Sequence, residues 1–234
     1  MIPKNIFQTF ELEYEDLPEL GIQTTSTWKD MNPGWNYVYM GAEERRQYVK
    51  DTMPEIIKIY DFATNMYKSD IWRYLIVFNL GGVYSDLDSI CARPLDHMLE
   101  QYKDQDMMCE SPCIEIPLAS RIENRRYVVR NSQHVNNANF GAVKESTILK
   151  LNIDKMYKLC SVFESTYEKD RGSHKEEWDY LKDLFYNTIN NNVFSEHVLT
   201  NKDLVLFIDR IGEHRLEYKF WNNEDLFDMW KLKF

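Results

Sequence analysis

The chain has 234 residues, 44% of them hydrophobic and 14% aromatic, with only 8 glycines and 7 prolines. That composition supports one sizeable core and excludes a disordered or fibrous chain. Its 28 Lys and Arg against 38 Asp and Glu leave a net charge of −10. This argues against nucleic acid or an anionic membrane as partner, because phosphate neutralisation needs clustered cations.

Four cysteines, Cys91, Cys109, Cys113 and Cys160, form no CxxC pair and read as reduced buried thiols, suited to a reducing compartment. The start, MIPKNIFQTF, has neither the basic region nor the apolar run of a signal peptide. No apolar run approaches the ~20 residues of a membrane helix. The expectation is a soluble, cytoplasmic protein without a transmembrane anchor, folded as one domain over 1–234, with a core over 1–145 and a helical part over 146–234.

In chain order, Lys4 to Phe10 reads as a strand, followed by an acidic loop from Glu11 to Glu19. Gly21 to Asp30 reads as a helix that stops before the turn signal Asn32-Pro33-Gly34. Trp35 to Met40 is aromatic and β-branched, hence a second strand, and Ala42 to Lys50 and Pro54 to Ala63 read as helices. Ser69 to Leu80 is a largely apolar helix, with Ser69 as its N-cap and Gly81 as its stop. Val83 to Ser85 follows as a short strand, and further strands are expected at Asp106 to Glu110 and Ala138 to Val143. Helices over Thr147 to Glu168 and Lys175 to Asn190 and a strand over Leu204 to Ile208 complete the pattern. Strands alternating with helices early, and helices dominating later, give an α/β fold with helices on the faces of one sheet.

The chemistry concentrates in KSDIWRYLIVFNLGGVYSDLDSI, Lys68 to Ile90. Asp70 and Arg73 are spaced i,i+3 on one helix face with Tyr74 beside them, either as a surface ion pair or, in so apolar a helix, as a buried pair with a purpose. Asp86 and Asp88 follow a strand; in extended chain their side chains share one face about 6.6 Å apart. Two such carboxylates repel unless a cation sits with them, and hard oxygen ligands suit Mg²⁺ or Mn²⁺ holding a diphosphate. The alternative is a polar turn that closes the strand.

These residues carry a resemblance. Asp70-Ile71-Trp72-Arg73-Tyr74 followed by Gly81-Gly82-Val83-Tyr84-Ser85-Asp86-Leu87-Asp88 resembles the signature SDxxRYxxLxxxGGxYxDxD of the DXD-containing family 32 glycosyltransferases. That family is related to the sugar-transferring domains of large clostridial toxins. Ile2 to Phe10 resembles the family's opening IPKxIHQTW, with Phe7 and Phe10 standing where His and Trp are usual. Asn32 to Tyr37 resembles its NPgwey turn, and Asn137-Ala138 with Ala142 loosely resembles a later NAxxxA strand. The match is good over about Ile2 to Asp96 and faint beyond.

The resemblance implies a GT-A fold: a single nucleotide-binding, Rossmann-like mixed sheet flanked by helices, with a helix-rich C-terminal part on the acceptor side. It implies a retaining hexosyltransferase that uses a nucleotide diphosphate sugar, Mn²⁺ or Mg²⁺, and a glycan, glycolipid or glycoprotein acceptor. Carried onto this chain, Asp70, Arg73 and Asp86 are catalytic, and Gln8, Thr9, Asp70, Arg73, Tyr74, Asp86 and Asn137 bind the nucleotide sugar. Asp88 and Asp86 hold the metal with His214, for which His197 is the rival. Asp70 and Arg73 are expected to act on the donor rather than on the core. Two other readings stay open: a haloacid-dehalogenase-like phosphatase, whose DxDx[ST] motif resembles Asp86-Leu87-Asp88-Ser89-Ile90, and a non-catalytic nucleotide-sugar-binding module.

Overall fold

The computed structural model describes residues 1–111, 113–114, 121–123, 126–128, 133–167, 191–208 and 211–213. Its centre is a six-stranded mixed sheet. Strand β1 (Asn5–Thr9) leads through helix α1 (Glu19–Met31) to β2 (Asn36–Met40), then through α2 (Ala42–Thr52), α3 (Ile57–Phe62) and α4 (Asn65–Leu80) to β3 (Gly82–Ser85). Short β4 (Ile90–Cys91) and α5 (Leu95–Leu99) precede β5 (Met107–Glu110). The short strands β6 (Cys113–Ile114), β7 (Arg121–Glu123), β8 (Arg126–Val128) and β9 (Gln133–His134) pair β6 with β9 and β7 with β8. Then come β10 (Asn139–Ala142), α6 (Thr147–Tyr167), α7 (Asn191–Thr200), β11 (Val205–Ile208) and β12 (Gly212–Glu213).

The sheet order is β11-β5-β10-β3-β1-β2. β1 pairs in parallel with both β2 and β3, β10 runs antiparallel to β3 and β5, and β11 is parallel to β5. The chain leaves β1 toward β2 on one side and returns as β3 on the other. The carboxyl ends of β1 and β3 therefore flank a point where strand order reverses, which is where open α/β sheets bind ligands.

Burial explains the elements. Ile6 and Phe7 are both fully buried, as expected of a central strand covered on both faces. Every residue of α4 from Ser69 to Val77 is buried, polar ones included. An aromatic stack joins α4, β3, β10 and α7: Trp72 lies edge-on to Tyr84 at 6.2 Å, and Tyr74 stacks on Phe194 at 5.6 Å. Phe140 packs on Phe194 at 5.2 Å. At the start of α6 the Ser146 hydroxyl accepts from the Leu149 N–H at 3.2 Å, an N-cap bond. Asp106 accepts the N–H groups of Thr147 and Ile148 at 2.8 and 3.1 Å.

Two glycines set the return from α4 to β3. Gly81 has φ 66° and Gly82 φ 138°, conformations that exclude most side chains. A Cβ on Gly82 would stand 2.6 Å from the Asn5 carbonyl oxygen.

The sequence reading differs from the structure in several places. Helix α4 starts at Asn65 with Thr64 as its N-cap, so Ser69 is an interior residue and not the cap. Ser69 is polar because it accepts a hydrogen bond from the buried Arg45. The expected helix Pro54 to Ala63 begins as a 3₁₀ turn over Pro54–Ile56. Asp86 to Asp88 is a turn and not extended chain, closed by a 3.1 Å bond from the Ser89 N–H to the Asp86 carbonyl. The alternating-face geometry of a strand therefore does not apply to this pair. Helix α7 and the pair of β4 with β12 were not foreseen, whereas the expected helix Lys175 to Asn190 lies outside the described residues. Cys91 and Cys109 are buried free thiols, as expected; the side chains of Cys113 and Cys160 lie outside the described residues. No helix among the described residues is long and apolar enough to cross a membrane.

The Gly82 geometry generates a test. Gly82→Ala should lower the unfolding free energy by about 2 kcal/mol or more, the scale of a forced backbone conformation with a clash added. Urea denaturation measures this, and an unchanged midpoint would refute the close approach to Asn5.

Candidate functional site

Arg73 stands at the centre of the polar residues beyond β1 and β3. It is 2% exposed. One terminal nitrogen lies 3.3 Å from Asp70 Oδ1 and 3.0 Å from Asp86 Oδ1. The other donates to the Asn137 carbonyl at 2.8 Å, and Nε reaches the Ser69 carbonyl at 3.4 Å. The guanidinium also lies 4.4 Å from the centre of the Tyr84 ring, a cation–π contact. Tyr84 donates its hydroxyl to Asp86 Oδ1 at 2.6 Å. Thus α4, β3 and the strand-entry residue Asn137 meet on one guanidinium.

Asp70 is 6% exposed and also accepts from the Asn137 side-chain amide at 2.9 Å; the same amide nitrogen donates to Tyr74 Oη at 2.7 Å. Burial raises the Asp70 carboxyl to about 6; Arg73 and the Asn137 amide pull it down, and the nearby Asp86 charge adds to the rise. Burial also pushes the phenols of Tyr74 and Tyr84 up, keeping them neutral. Arg73 stays cationic despite its burial because Asp86, Tyr84 and Asp70 favour the charged form.

The turn that carries the two aspartates is tied down on every side. The Asp86 N–H donates to the Ala138 carbonyl at 2.8 Å, and the Gln8 amide donates to the Asp86 carbonyl at 3.1 Å. Leu87, between the aspartates, is buried with Phe10 and Leu17. The Ser89 carbonyl accepts from the Trp28 indole at 2.7 Å. Asp88 is 8% exposed.

The expected residues are therefore brought together unequally. Asp70, Arg73, Tyr74, Asp86 and Asn137 form one bonded network, and Asp88 sits on the adjoining turn. Gln8 and Thr9 are fully or nearly buried and engaged by protein: Tyr37 donates to Gln8 Oε1 at 2.7 Å, and Thr9 donates to the Met40 carbonyl at 2.7 Å. In the described structure they brace the ends of β1 and β2. His197 is on α7, its ring bonded at 3.1 Å to Asn152, away from the aspartates in the contacts it makes; burial lowers its basicity. His214 lies outside the described residues. Arg73 is itself a core element, pairing with the buried Asp70 and the partly exposed Asp86.

Sequence reasoning missed Arg45. Its side chain is fully buried and donates to Tyr60 at 2.8 Å, Thr9 at 3.2 Å, Ser69 at 2.9 Å and Glu11 at 2.5 Å. The signal was present in the spacing. Gly41, Arg45 and Val49 recur every four residues on the face that α2 buries. Tyr84, quoted within the Gly81 to Asp88 block, was given no role of its own.

The described residues contain no group of three or more His, Cys, Asp or Glu poised for a metal ion. The chemistry of the donor set nevertheless suits Mg²⁺ or Mn²⁺, which bind through one or two carboxylates together with substrate phosphates. Asp70 and Asp86 share a single guanidinium, so the set is anionic before Asp88 is counted.

Residues 18–105 match the family model described as glycosyltransferase sugar-binding region containing DXD motif. The chain shares the sugar-binding region of the DXD glycosyltransferases. The matched segment runs from α1 through α5 and includes Asp70, Arg73, Asp86 and Asp88. Among curated relatives, inositol phosphoceramide mannosyltransferase 3 of Schizosaccharomyces pombe is 33% identical over 99 residues, 42% of this chain and 27% of that protein. Initiation-specific alpha-1,6-mannosyltransferase of Candida albicans is 29% identical over 103 residues, again 42% and 27%. The chain thus spans about a quarter of the length of these relatives. The ligand-free glycosyltransferase domain of the YGT toxin superposes with TM-score 0.62 at 8% identity, covering 94% of this chain and 83% of that one. The catalytic domain of alpha-toxin from Clostridium novyi gives 0.50 at 9% identity, covering 97% and 79%. At such identities the likeness establishes the fold, and the fold is that of GT-A-type glycosyltransferase domains.

The Asp70 environment makes a pH prediction. Its folded-state value lies above that of an unfolded chain, so the stability it contributes is present below about pH 4 and lost as pH rises through about 6. Measured against Asp70→Asn, ligand-free wild type should therefore lose relative stability across that window. Parallel stability curves for the two proteins would show that Asp70 titrates normally.

Proposed function

We propose that this chain is a retaining glycosyltransferase that moves a hexose from a UDP- or GDP-sugar to a hydroxyl of a glycan, glycolipid or glycoprotein, with Mn²⁺ or Mg²⁺. The observation that carries this reading is the buried Asp70–Arg73–Asp86 network beside the Asp88 turn, at the switch point of the sheet. Names of several relatives specify mannose, which makes GDP-mannose the first donor to test.

On this reading Asp88 and Asp86 hold the cation, which when bound neutralises the charge that grows on the diphosphate leaving group. His214 completes the set in our proposal; it is the next residue after β12, whose partner β4 begins two residues beyond Asp88. Arg73 forks onto the sugar or phosphate, a role its planar donors suit. Asp70 accepts from sugar hydroxyls, and Asn137 and Tyr74 fix its carboxylate. Gln8 and Thr9 shape the nucleoside side from the end of β1. A same-face attack by the acceptor needs no protein nucleophile, in contrast to the paired carboxylates of a retaining glycosidase.

A phosphatase of the DxDx[ST] type would use Asp86 as nucleophile. Here Asp86 Oδ1 is held by Arg73 and Tyr84, and that chemistry gives Asp70 no part. A binding module without turnover keeps the same geometry and is separated only by assay.

Asp88→Asn keeps the side-chain size and removes the charge that holds the cation. The wild type should gain thermal stability from nucleotide sugar only with Mn²⁺, and both EDTA and Asp88→Asn should remove that gain. Release of phosphate from simple esters, with indifference to every nucleotide sugar, would refute the assignment. Asp70→Asn should fold and bind Mn²⁺ yet transfer at least about a hundredfold more slowly, the range typical for loss of one preorganised transition-state contact. Arg73→Ala should in addition cost about 3–5 kcal/mol of stability, because it strands the buried Asp70 carboxylate. Unfolding by urea, read beside turnover, separates the two effects.

A further inference from the structure

Glu110 closes β5, and neither the sequence reading nor the proposed chemistry gives it a part. Through one carboxylate oxygen it accepts the backbone N–H groups of Ile211 at 2.9 Å and Gly212 at 3.1 Å. A carboxylate on two consecutive amides is a charge-assisted clamp, stronger than ordinary backbone pairing. The clamped residues press on the aspartate turn from the other side. Gly212 pairs with Cys91 and Glu213 with Ile90, and the Ala92 N–H donates to the Ile211 carbonyl at 3.3 Å. A Cβ on Gly212 would collide with the hydroxyl of Ser89, and it would stand 2.7 Å from Asn139 Oδ1. Ser89 directly follows Asp88, and Asn139 accepts from Ser85, just before Asp86, at 2.8 Å. The chain at 211–213 is therefore wedged between Glu110 and the two ends of the Asp86–Asp88 turn.

We infer that Glu110 is a positioning residue for the donor site: it holds Gly212 against Ser89 and so fixes the turn that presents Asp88. The inference rests on the glycosyltransferase reading, since it assigns Glu110 an effect on cation and nucleotide binding. Glu110 touches no ligand in this account. It acts through backbone amides, as second-layer groups do at metal sites.

The test uses full-length Glu110→Ala and Glu110→Gln beside wild type. Amide hydrogen exchange reads the clamp, calorimetry of Mn²⁺ with UDP and with GDP reads the site, and urea unfolding reads the fold. In Glu110→Ala, exchange at Ile211 and Gly212 should accelerate by about tenfold or more, as for loss of charge-assisted bonds. Exchange in β3 and β10 should stay as in wild type. Affinity for the Mn²⁺–nucleotide should fall by about 10–100-fold, the usual effect of removing a second-layer support, and Glu110→Gln, which keeps an acceptor oxygen, should recover part of it. Glu110→Gln also carries the test should the alanine variant fail to fold. Accelerated exchange with affinity within about twofold of wild type would leave Glu110 a purely structural residue and overturn the inference; so would unchanged exchange. Wild type that binds neither Mn²⁺–nucleotide would refute the glycosyltransferase reading itself, and the inference with it.

Discussion

A guanidinium out of water must be matched by anions and acceptors in fixed places, and much of this structure is arranged around that requirement at Arg73. Two carboxylates, a backbone carbonyl and an aromatic face surround it, supplied by α4, β3 and the approach to β10. Since α4 is buried along its whole central stretch, Asp70 and Arg73 are held out of solvent, and Asp86 is the partly exposed member of the set. The consequence is a polar centre whose geometry is set by folding before any ligand arrives. Preorganisation of this kind is what electrostatic catalysis needs, because the dipoles do not have to turn when charge develops. It also has a cost: burial raises the Asp70 carboxyl to about 6, against the opposing pull of Arg73 and the Asn137 amide.

The same requirement explains the surroundings of the aspartate turn. Asp86 and Asp88 sit on a turn that is anchored by apolar and polar means together. Leu87 is buried beneath the 10–17 loop, Gln8 and Trp28 hold carbonyls at either end, and the 211–213 segment lies against Ser89. Gly81 and Gly82 bring α4 back onto the sheet, and its third turn, at Trp72 and Arg73, meets the end of β3. Residues remote in sequence thus converge on one polar cluster through backbone geometry.

Local patterns in the sequence predicted the alternation of strand and helix well, because β1, β2 and α4 carry clear apolar runs and the Gly-Gly return is punctuated by residue type. The long block from Asp70 to Asp88 pointed to the candidate site, and the structure brings Asp70, Arg73 and Asp86 together there. What stayed hidden depends on contacts far apart in sequence. Arg45 looked like one more charge in an EERRQ helix, yet it is buried on Glu11, Thr9 and Ser69. Ser69 passed for a helix cap because a cap and a buried hydroxyl use the same residue type. Glu110 and Gly212 are unremarkable until β4 and β12 pair, a two-residue ladder with no periodicity of its own. Gln8 and Thr9, assigned to a ligand, also bond within the protein, through contacts to Asp86, Tyr37 and Met40 that no local pattern announces.

The central claim is that the Arg73 network and the Asp88 turn form one donor site. A crystal structure of the protein with Mn²⁺ and a UDP- or GDP-sugar tests it most directly. The account predicts the diphosphate at the carboxyl ends of β1 and β3, the metal on Asp88, and the sugar within hydrogen-bonding reach of Asp70 and Arg73. A nucleotide bound with its diphosphate away from Asp88, or with Arg73 still facing only Asp70 and Asp86, would contradict it.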